Sequence, residues 1–498
     1  MRRSGILMHI SSLPSRYGIG KLGASAYQFA DFLKKSGVSV WQILPLSPTS
    51  YGDSPYQSFS AYAGNPYFID FEQLEEQGLL EHTDYADANW GSPNKVDYER
   101  LYQMCFPILK KAFQAFDRTN PDYVAFCEKH RAWLPDYALF MALKFAHHGK
   151  AWTEWEPELA MRNAESLQKA RSKYVEDVQF FQVIQYWFYS QWDKLKTYCN
   201  ENGISLIGDM PIYVSYDSVE VWAQPELFQF DKENIPISPT GQLWGNPLYD
   251  WDYHKKTGYA WWIQRLAFAT SIYDTVRIDH FRGFESYYSI PYGNPTAEIG
   301  EWRKGPNTAL FEAAQAALGD LSIIAEDLGF ITPEVQKMLD ACGYPGMKVT
   351  QFAFSDGAKN TYLPQNYKTT NCVAYTGTHD NMTLNGWVYG ASDKEISFAK
   401  RYLRVRDRKD LPESMLRITW GSIADLAIGQ VQDFLQEPAN ARMNTPSTAF
   451  GNWQYRTTAK QFNHKLSKKI YQLNALYNRL PEENSAAETD TKEIELED

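Results

Sequence analysis

Four carboxylates, Asp209, Asp279, Glu326 and Asp380, each stand at or shortly beyond the end of a short run of β-branched and other apolar residues. Taken singly, each could cap a following helix or pair on the surface. Four at equivalent places are harder to assign to structure alone. In Arg277-Ile-Asp279 a strand's period of two puts cation and carboxylate on one face, where the cation holds the acid ionised, as a nucleophile requires. Thr378-His379-Asp380-Asn381 is a compact polar quartet following an apolar run. Glycoside chemistry accounts for such a set: one carboxylate attacks the anomeric carbon, a second carboxylic acid protonates the leaving oxygen, and further acids hold ring hydroxyls and the oxocarbenium charge. Asp279 and Glu326 end neighbouring predicted strands, so the separation of about 5 Å that a retaining pair needs is geometrically available.

Eight apolar runs are the elements that must position these groups: 5–9, 38–44, 204–209, 275–279, 322–326, 347–352, 371–376 and, less distinctly, 426–431. Between them lie segments of helical periodicity, among them 24–35, 308–317 and 333–340. Strands alternating with helices predict parallel βαβ units, and eight of them predict an α/β fold, a (β/α)8 TIM barrel, in which chemistry collects at the C-terminal ends of the strands. The intervals between the second and third strands and between the third and fourth are too long for single helices. We expect large, mainly helical insertions there, giving one catalytic barrel over 1–480 with inserted subdomains at about 50–200 and 214–272. The aromatic-rich stretch from Val178 to Phe188 is expected to pack in the core.

Composition narrows the function. The chain has 498 residues, 44% hydrophobic and 22% charged, values of a globular protein with a large core. Its net charge of −11 offers no concentration of Lys and Arg for phosphate, so nucleic acid is not an expected partner. From Glu482 to Asp498 there are eight acids and one Lys, a net −7 of that −11, and 481–498 is read as an acidic, disordered tail. Five cysteines without a C-x-x-C spacing suggest neither a disulfide framework nor a zinc site, and a reducing, cytoplasmic compartment is expected. The apolar run Ile6-Leu-Met8 is too short for a secretory signal, and no stretch approaches the ~18 apolar residues of a membrane span, so no membrane partner is expected. Aromatic residues reach 15%, with 16 Trp and 33 Tyr. Such side chains suit sugars, which are part apolar and part hydroxylated, but equally fill a large core.

Several longer strings together are specific: Gly5-Ile-Leu-Met-His-Ile-Ser-Ser-Leu-Pro14, Ser50-Tyr-Gly-Asp-Ser-Pro-Tyr-Gln-Ser-Phe-Ser60, Gly208-Asp-Met-Pro-Ile-Tyr213, Gly241-Gln-Leu-Trp-Gly-Asn-Pro247, Val276-Arg-Ile-Asp-His-Phe-Arg-Gly283, Ala325-Glu-Asp-Leu-Gly329 and Gly377-Thr-His-Asp-Asn381. Through them the chain, from Gly5 to about Trp453, resembles the 4-α-glucanotransferases, the amylomaltase or disproportionating-enzyme family of the α-amylase clan (glycoside hydrolase family 77). The resemblance implies Asp279 as nucleophile, Glu326 as general acid and then base, and Asp380 as the acid that grips ring hydroxyls and stabilises the transition state. It implies Asp209, Arg277 and His379 as the supporting set, and Trp244, Asn246, Tyr51, Asp53, Ser54, Tyr56 and Asn452, with Trp453 beside it, as the lining of the groove. For Tyr51 and Ser54 the alternative is a turn role in the Gly-Asp-Ser-Pro loop.

The implied substrates are α-1,4-glucans, meaning maltooligosaccharides or starch or glycogen chains, with glucose as an acceptor. No cofactor and no metal are required, and no oxygen-ligand cluster with calcium-loop spacing is found. One departure from the family pattern stands out. Members usually carry a loop containing Pro-Pro-Asp-x-Phe-Ser before the Thr-Gly-Gln-Leu-Trp motif, whereas here Phe230 to Thr240 runs directly into Gly241. A lid over the cleft favours a sugar hydroxyl over water, so its absence slows transfer or raises hydrolysis. A plain glucan hydrolase of the same clan is therefore the first alternative. A non-catalytic glucan-binding scaffold is the second, and it would not need an Arg-held carboxylate facing a second acid.

Overall fold

The computed structural model describes residues 2–230, 245–291, 293–294, 296–329 and 331–482, except the side chain of Tyr51. The acidic tail expected over 481–498 falls, from 483 onward, outside the described residues. The eight barrel strands are β1 (Arg3–Leu7), β2 (Val40–Gln42), β3 (Ser205–Met210), β4 (Thr275–Ile278), β5 (Ile323–Ala325), β6 (Gly346–Val349), β7 (Cys372–Tyr375) and β8 (Leu426–Gln430). They form one parallel sheet in the order β5-β4-β3-β2-β1-β8-β7-β6. Its two edges meet where Ala325 N–H donates to the Pro345 carbonyl at 2.9 Å, just before β6, which nearly closes the cylinder. This is the (β/α)8 barrel that the strand pattern predicts.

Each strand is buried on both sides, and its alternate residues feed two different apolar layers. Leu7, Val40, Ile207, Ile324, Met347, Val349, Val373, Tyr375, Leu426 and Ile428 fill the barrel interior. Ile6, Trp41, Leu206, Val276, Ile278, Ile323 and Ala325 point outward into the core shared with the helices. This alternation decides where the polar residues go. Two positions beyond Ile207 on the inward face is Asp209, two beyond Ile324 is Glu326, and between the outward-facing Val276 and Ile278 lies Arg277, two before Asp279. The apolar floor of the barrel thus gives way to charge at the mouth. On the outward face of β3, Gly208 is required because a Cβ there would sit 2.2 Å from the Tyr273 ring.

Local signals account for the connecting helices. Ala24–Lys35 links β1 to β2. Pro333–Cys342 opens with Thr332 Oγ1 accepting the Val335 N–H and a proline in its first turn, and closes on Gly343 at φ 70°. Between β2 and β3 lie Tyr98–Ala115, Pro121–Lys129, Leu134–Ala146, Ala164–Lys173 and Val175–Glu201, a largely helical insertion. In the last of these Phe180, Phe181, Val183, Ile184, Trp187 and Phe188 are buried, so the aromatic stretch is core. Between β3 and β4 come Val219–Ala223, Trp251–Lys256 and Ala260–Ile272. An antiparallel hairpin, Ser286–Ser289 with Glu301–Lys304, follows β4, where no strand was expected.

The C-terminal segment fastens the N-terminal end of the barrel. After His464–Leu476, fully buried Arg479 donates through Nε to the Trp420 carbonyl at 2.8 Å, through Nη1 to that of Arg3 at 2.8 Å, and through Nη2 to those of Ser422 at 3.1 Å and Ala424 at 3.0 Å. Arg2 shares the Trp420 and Ser422 acceptors. Replacing Arg479 with Met removes the donor to the Arg3 and Ala424 carbonyls. We expect the free energy of unfolding to fall by about 3 kcal/mol, read from the denaturant midpoint, since each buried unpaired group costs 1–3 kcal/mol. A loss below about 1 kcal/mol would show that the bottom of the barrel does not depend on this side chain.

Candidate active site

The mouth of the barrel is organised around Arg277. Its cross-strand partner in the β3–β4 ladder is Asp209, so the two side chains lie adjacent on the inward face. Arg277 Nη1 donates to both Asp209 oxygens, at 2.8 and 2.7 Å, and to Asp279 Oδ1 at 3.2 Å. Burial disfavours the guanidinium charge, yet Asp209 and Asp279 hold its pKa well above the ordinary arginine value. Asp209 is fully enclosed, whereas the Asp279 side chain remains 27% exposed. One carboxylate therefore anchors the cation while the other, held by it, faces the cleft.

Glu326 stands beside Asp279 because the strands that carry them are neighbours, with Ile278 in register with Ala325. Adjacent strands lie about 4.8 Å apart, which sets the spacing of residues leaving their ends. Among the described residues, backbone groups hold Glu326. His280 N–H donates to Oε2 at 2.8 Å and Leu328 N–H to Oε1 at 2.9 Å. His280 reaches this position by adopting a left-handed conformation, φ 52°, a strained backbone of the kind that clusters at functional sites. Burial, reinforced by the charge of Asp279, pushes the Glu326 carboxyl up to about 7, against the pull of Arg277 and the two N–H donors. Near neutrality it can both give and take a proton.

Opposite this pair, the segment after β7 carries His379 and Asp380. The His379 ring stacks on Tyr56 with centroids 4.9 Å apart, and Trp453 leans on both at 5.7 and 5.8 Å. Tyr56 Oη donates to Asp209 Oδ2 at 2.8 Å and lies 3.4 Å from His379 Nδ1. Asp209 thus joins the β4 cation to the aromatic wall. Asp380 Oδ1 accepts from Asn444 Nδ2 at 2.6 Å and lies 3.4 Å from His379 Nε2, with its side chain 46% exposed. Asp209, Arg277 and His379 are buried supports, while Asp279, Glu326 and Asp380 open to the cleft.

The remaining candidates divide by what their side chains do. Asn246 is buried, and its Oδ1 accepts from Gln57 Nε2 at 2.8 Å. Asn452 ties the loop over 445–452 to itself: its Oδ1 accepts the Thr445 N–H at 2.9 Å, and its Nδ2 donates to the Thr448 carbonyl and hydroxyl at 3.0 Å. Ser54 Oγ accepts the Tyr56 N–H at 3.2 Å, the contact of a turn residue. Tyr51 begins the turn Tyr51–Asp53, in which Gly52 at φ 67° packs so closely that a Cβ would meet the Ala449 carbonyl oxygen at 2.9 Å. Burial pushes the neighbouring Asp53 carboxyl up to about 6. Trp244, and the segment 231–244 where the expected lid is missing from the sequence, lie outside the described residues.

Sequence reasoning does not find Asn444, which reaches Asp380 only through the tertiary fold, nor the groove lined by Phe352, Tyr362, Asn381 and Trp387 next to the Asp380 loop. Among the described residues no group of His, Cys, Asp and Glu has the arrangement of a metal site, and no helix is long and apolar enough to cross a membrane.

Comparison with known proteins bears on this geometry. The family model described as 4-alpha-glucanotransferase matches residues 8–461. The 4-alpha-glucanotransferase of Clostridium butyricum is 45% identical over 486 residues, covering 95% of this chain and 100% of that protein. That of Thermus thermophilus is 46% identical, covering 91% and 94%. Among solved structures, the amylomaltase from Streptococcus agalactiae in complex with acarbose superposes with a TM-score of 0.94 at 42% identity, covering 97% of this chain and 100% of that one. The amylomaltase from Corynebacterium glutamicum shares the fold, with a TM-score of 0.78 at 18% identity over 96% of this chain and 74% of that one.

A carboxyl raised to about 7 gives a signed expectation. Turnover that requires protonated Glu326 falls as pH rises through about 7, and Glu326→Gln lowers the rate by about 10² or more. Initial rates across pH 5 to 9 check this. A rate that stays level to pH 9, or a Glu326→Gln variant at full activity, would remove Glu326 from proton transfer.

Proposed function

We propose that this chain, which belongs to the 4-alpha-glucanotransferase family, cleaves α-1,4-glucans with retention and carries the donor portion as a covalent ester on Asp279. The observation that carries the reading is the pair formed by an Arg277-held Asp279 and a near-neutral Glu326 on adjacent strand ends. In the first half-reaction an Asp279 oxygen attacks the anomeric carbon, the glycosidic bond breaks, and the leaving 4-oxygen takes the proton of Glu326. In the second, ionised Glu326 takes the proton from the 4-hydroxyl of another glucan or of glucose. That oxygen attacks the same carbon, and the Asp279 ester bond breaks. Each inversion at the carbon cancels the other.

The supporting residues follow from their contacts. Asp380, whose side chain is more open than those of Asp209 and Asp279, receives ring hydroxyls and the charge of the oxocarbenium-like transition state. His379 and Tyr56 form one wall of the subsite occupied by the reacting glucose. Asn246, Asp53, Ser54 and Asn452 complete or brace the groove, and Trp244 and Tyr51 are assigned to it by the family resemblance alone. The groove beside Phe352 and Trp387 gives the glucan chain a path away from the centre. Nothing in this chemistry needs a cofactor. Maltooligosaccharides and starch or glycogen chains are the substrate class, which the acarbose complex of the similar Streptococcus agalactiae enzyme supports. Five cysteines without a disulfide among them suit a cytoplasmic enzyme.

A second reading, hydrolysis in place of transfer, is favoured by one observation: the short passage from Phe230 to Gly241, without the Pro-Pro-Asp-x-Phe-Ser loop. Incubation with maltotriose separates the readings. Transfer yields glucose together with maltodextrins longer than the substrate. The shortened passage is expected to add a measurable hydrolytic fraction, seen as reducing ends that rise with time. Elongated products with no rise in reducing ends would overturn the effect of the loop. Glucose and maltose alone, with no elongation, would overturn transfer.

A further inference from the structure

Asp433 has no part in the chemistry above, yet it sits where the loop between β7 and the next helix, Leu384–Gly390, is tied down. That loop carries His379 and Asp380. At its start Thr376 Oγ1 donates to Asp433 Oδ2 at 2.6 Å, and at its end Leu384 N–H donates to Asp433 Oδ1 at 2.7 Å. Thr376 Oγ1 in turn accepts the Gln430 N–H at 3.2 Å. Gln351 Nε2 and Gln430 Nε2 both donate to the Met382 carbonyl, at 2.7 and 3.1 Å. A Cβ on Gly377 would fall 2.4 Å from Gln351 Nε2 and 2.6 Å from Gln430 Nε2, so the loop and this cluster leave no slack. Above it, Arg442 Nη2 donates to the Asp380 carbonyl and Asn444 N–H to the His379 carbonyl at 3.0 Å.

Asp433 is 6% exposed, and among the described residues no Lys, Arg or His forms an ion pair with it. A buried carboxylate without a cation is a poor stabiliser, and an apolar residue of similar size is commonly better for stability. What it does supply is an acceptor on both oxygens for Thr376 and Leu384 at the two ends of one loop, with the Gln430 side chain as a further donor.

We propose that Asp433 is a positioning residue for the transferase reaction: by accepting from Thr376 and Leu384 at once, it holds the 376–384 loop so that Asp380 and His379 meet the reacting sugar. The inference rests on the reading of Asp380 as the acid that binds in the transition state. An amide cannot replace it. In Asp433→Asn the side-chain oxygen still accepts from Leu384, but its NH2 group faces Thr376 Oγ1, which already receives the Gln430 N–H, and the Thr376 hydroxyl proton loses its acceptor.

Steady-state kinetics on maltotriose, with thermal unfolding alongside, test this. Asp433→Asn is expected to lower kcat by about ten-fold to a hundred-fold with KM within about two-fold, as loosened support for a reacting group does. Thr376→Val, which removes the hydroxyl and keeps the carboxylate, lowers kcat in the same way and reads the same tie if Asp433→Asn does not fold. The double variant is no worse than the poorer single one, because both remove one interaction. Either folded variant with wild-type kcat would overturn the positioning role, a reduced melting temperature then making the cluster merely structural, and multiplicative losses in the double variant would show that Asp433 and Thr376 do not act through one interaction. Asp380→Asn is the control for the underlying reading. If it keeps wild-type kcat, that reading falls. If it loses activity while Asp433→Asn and Thr376→Val do not, only the positioning role falls.

Discussion

One buried cation, Arg277, sets the terms for the rest of the site. Enclosing a guanidinium in a barrel is costly unless carboxylates meet it, and once they do, removing either partner leaves an uncompensated charge. Asp209 meets it from the adjacent strand and Asp279 from two residues along its own strand. The parallel ladder makes both contacts automatic, because cross-strand partners and alternate residues of one strand share a face. The apolar floor below, from Ile207 to Ile428, lowers the polarity beneath the ion cluster and so strengthens its electrostatics.

From this constraint follows a division of labour at the barrel mouth. Groups that only support are buried and bound to one another: Asp209 to Arg277 and Tyr56, and His379 to the Tyr56 ring. The acids that the proposed reaction sets against the substrate are held on one side and open on the other. Glu326 and Asp279 differ by environment although both are carboxylic acids. The first is held by two backbone N–H groups and pushed up by burial and by its neighbour's charge, while the second has the guanidinium at 3.2 Å. Two carboxyl groups in such different surroundings are suited to two different tasks.

Much of this was legible in the sequence because strand physics has a short period. In the run 275–279 the period of two puts Asp279 on the same face as Arg277, and both runs, 275–279 and 322–326, end in their acid, so face and end could be assigned without contacts. The helices expected over 24–35 and 333–340 showed their apolar periodicity directly. The hairpin Ser286–Ser289 with Glu301–Lys304 was not legible, since its second strand is exposed throughout and shows no apolar alternation. Nor was the bracing by Asp433, Gln430 and Gln351, three polar residues from two different strand ends that meet only once the barrel closes. Asn452 and Asn246 were expected in the groove only through the family resemblance, and their hydrogen bonds to Thr445, Thr448 and Gln57 come from loop conformations that no spacing encodes.

The central claim is that Asp279, held by Arg277, becomes covalently bound to sugar during turnover. Mass spectrometry of Glu326→Gln after brief reaction with an activated donor, α-maltosyl fluoride, addresses it directly. The fluoride leaves without needing the general acid, while loss of the base slows release of the ester. The account predicts a protein mass increased by one maltosyl unit, located on the peptide that contains Asp279. An adduct on a peptide containing another of the four acids, or complete consumption of the donor with no adduct at any time, would contradict it.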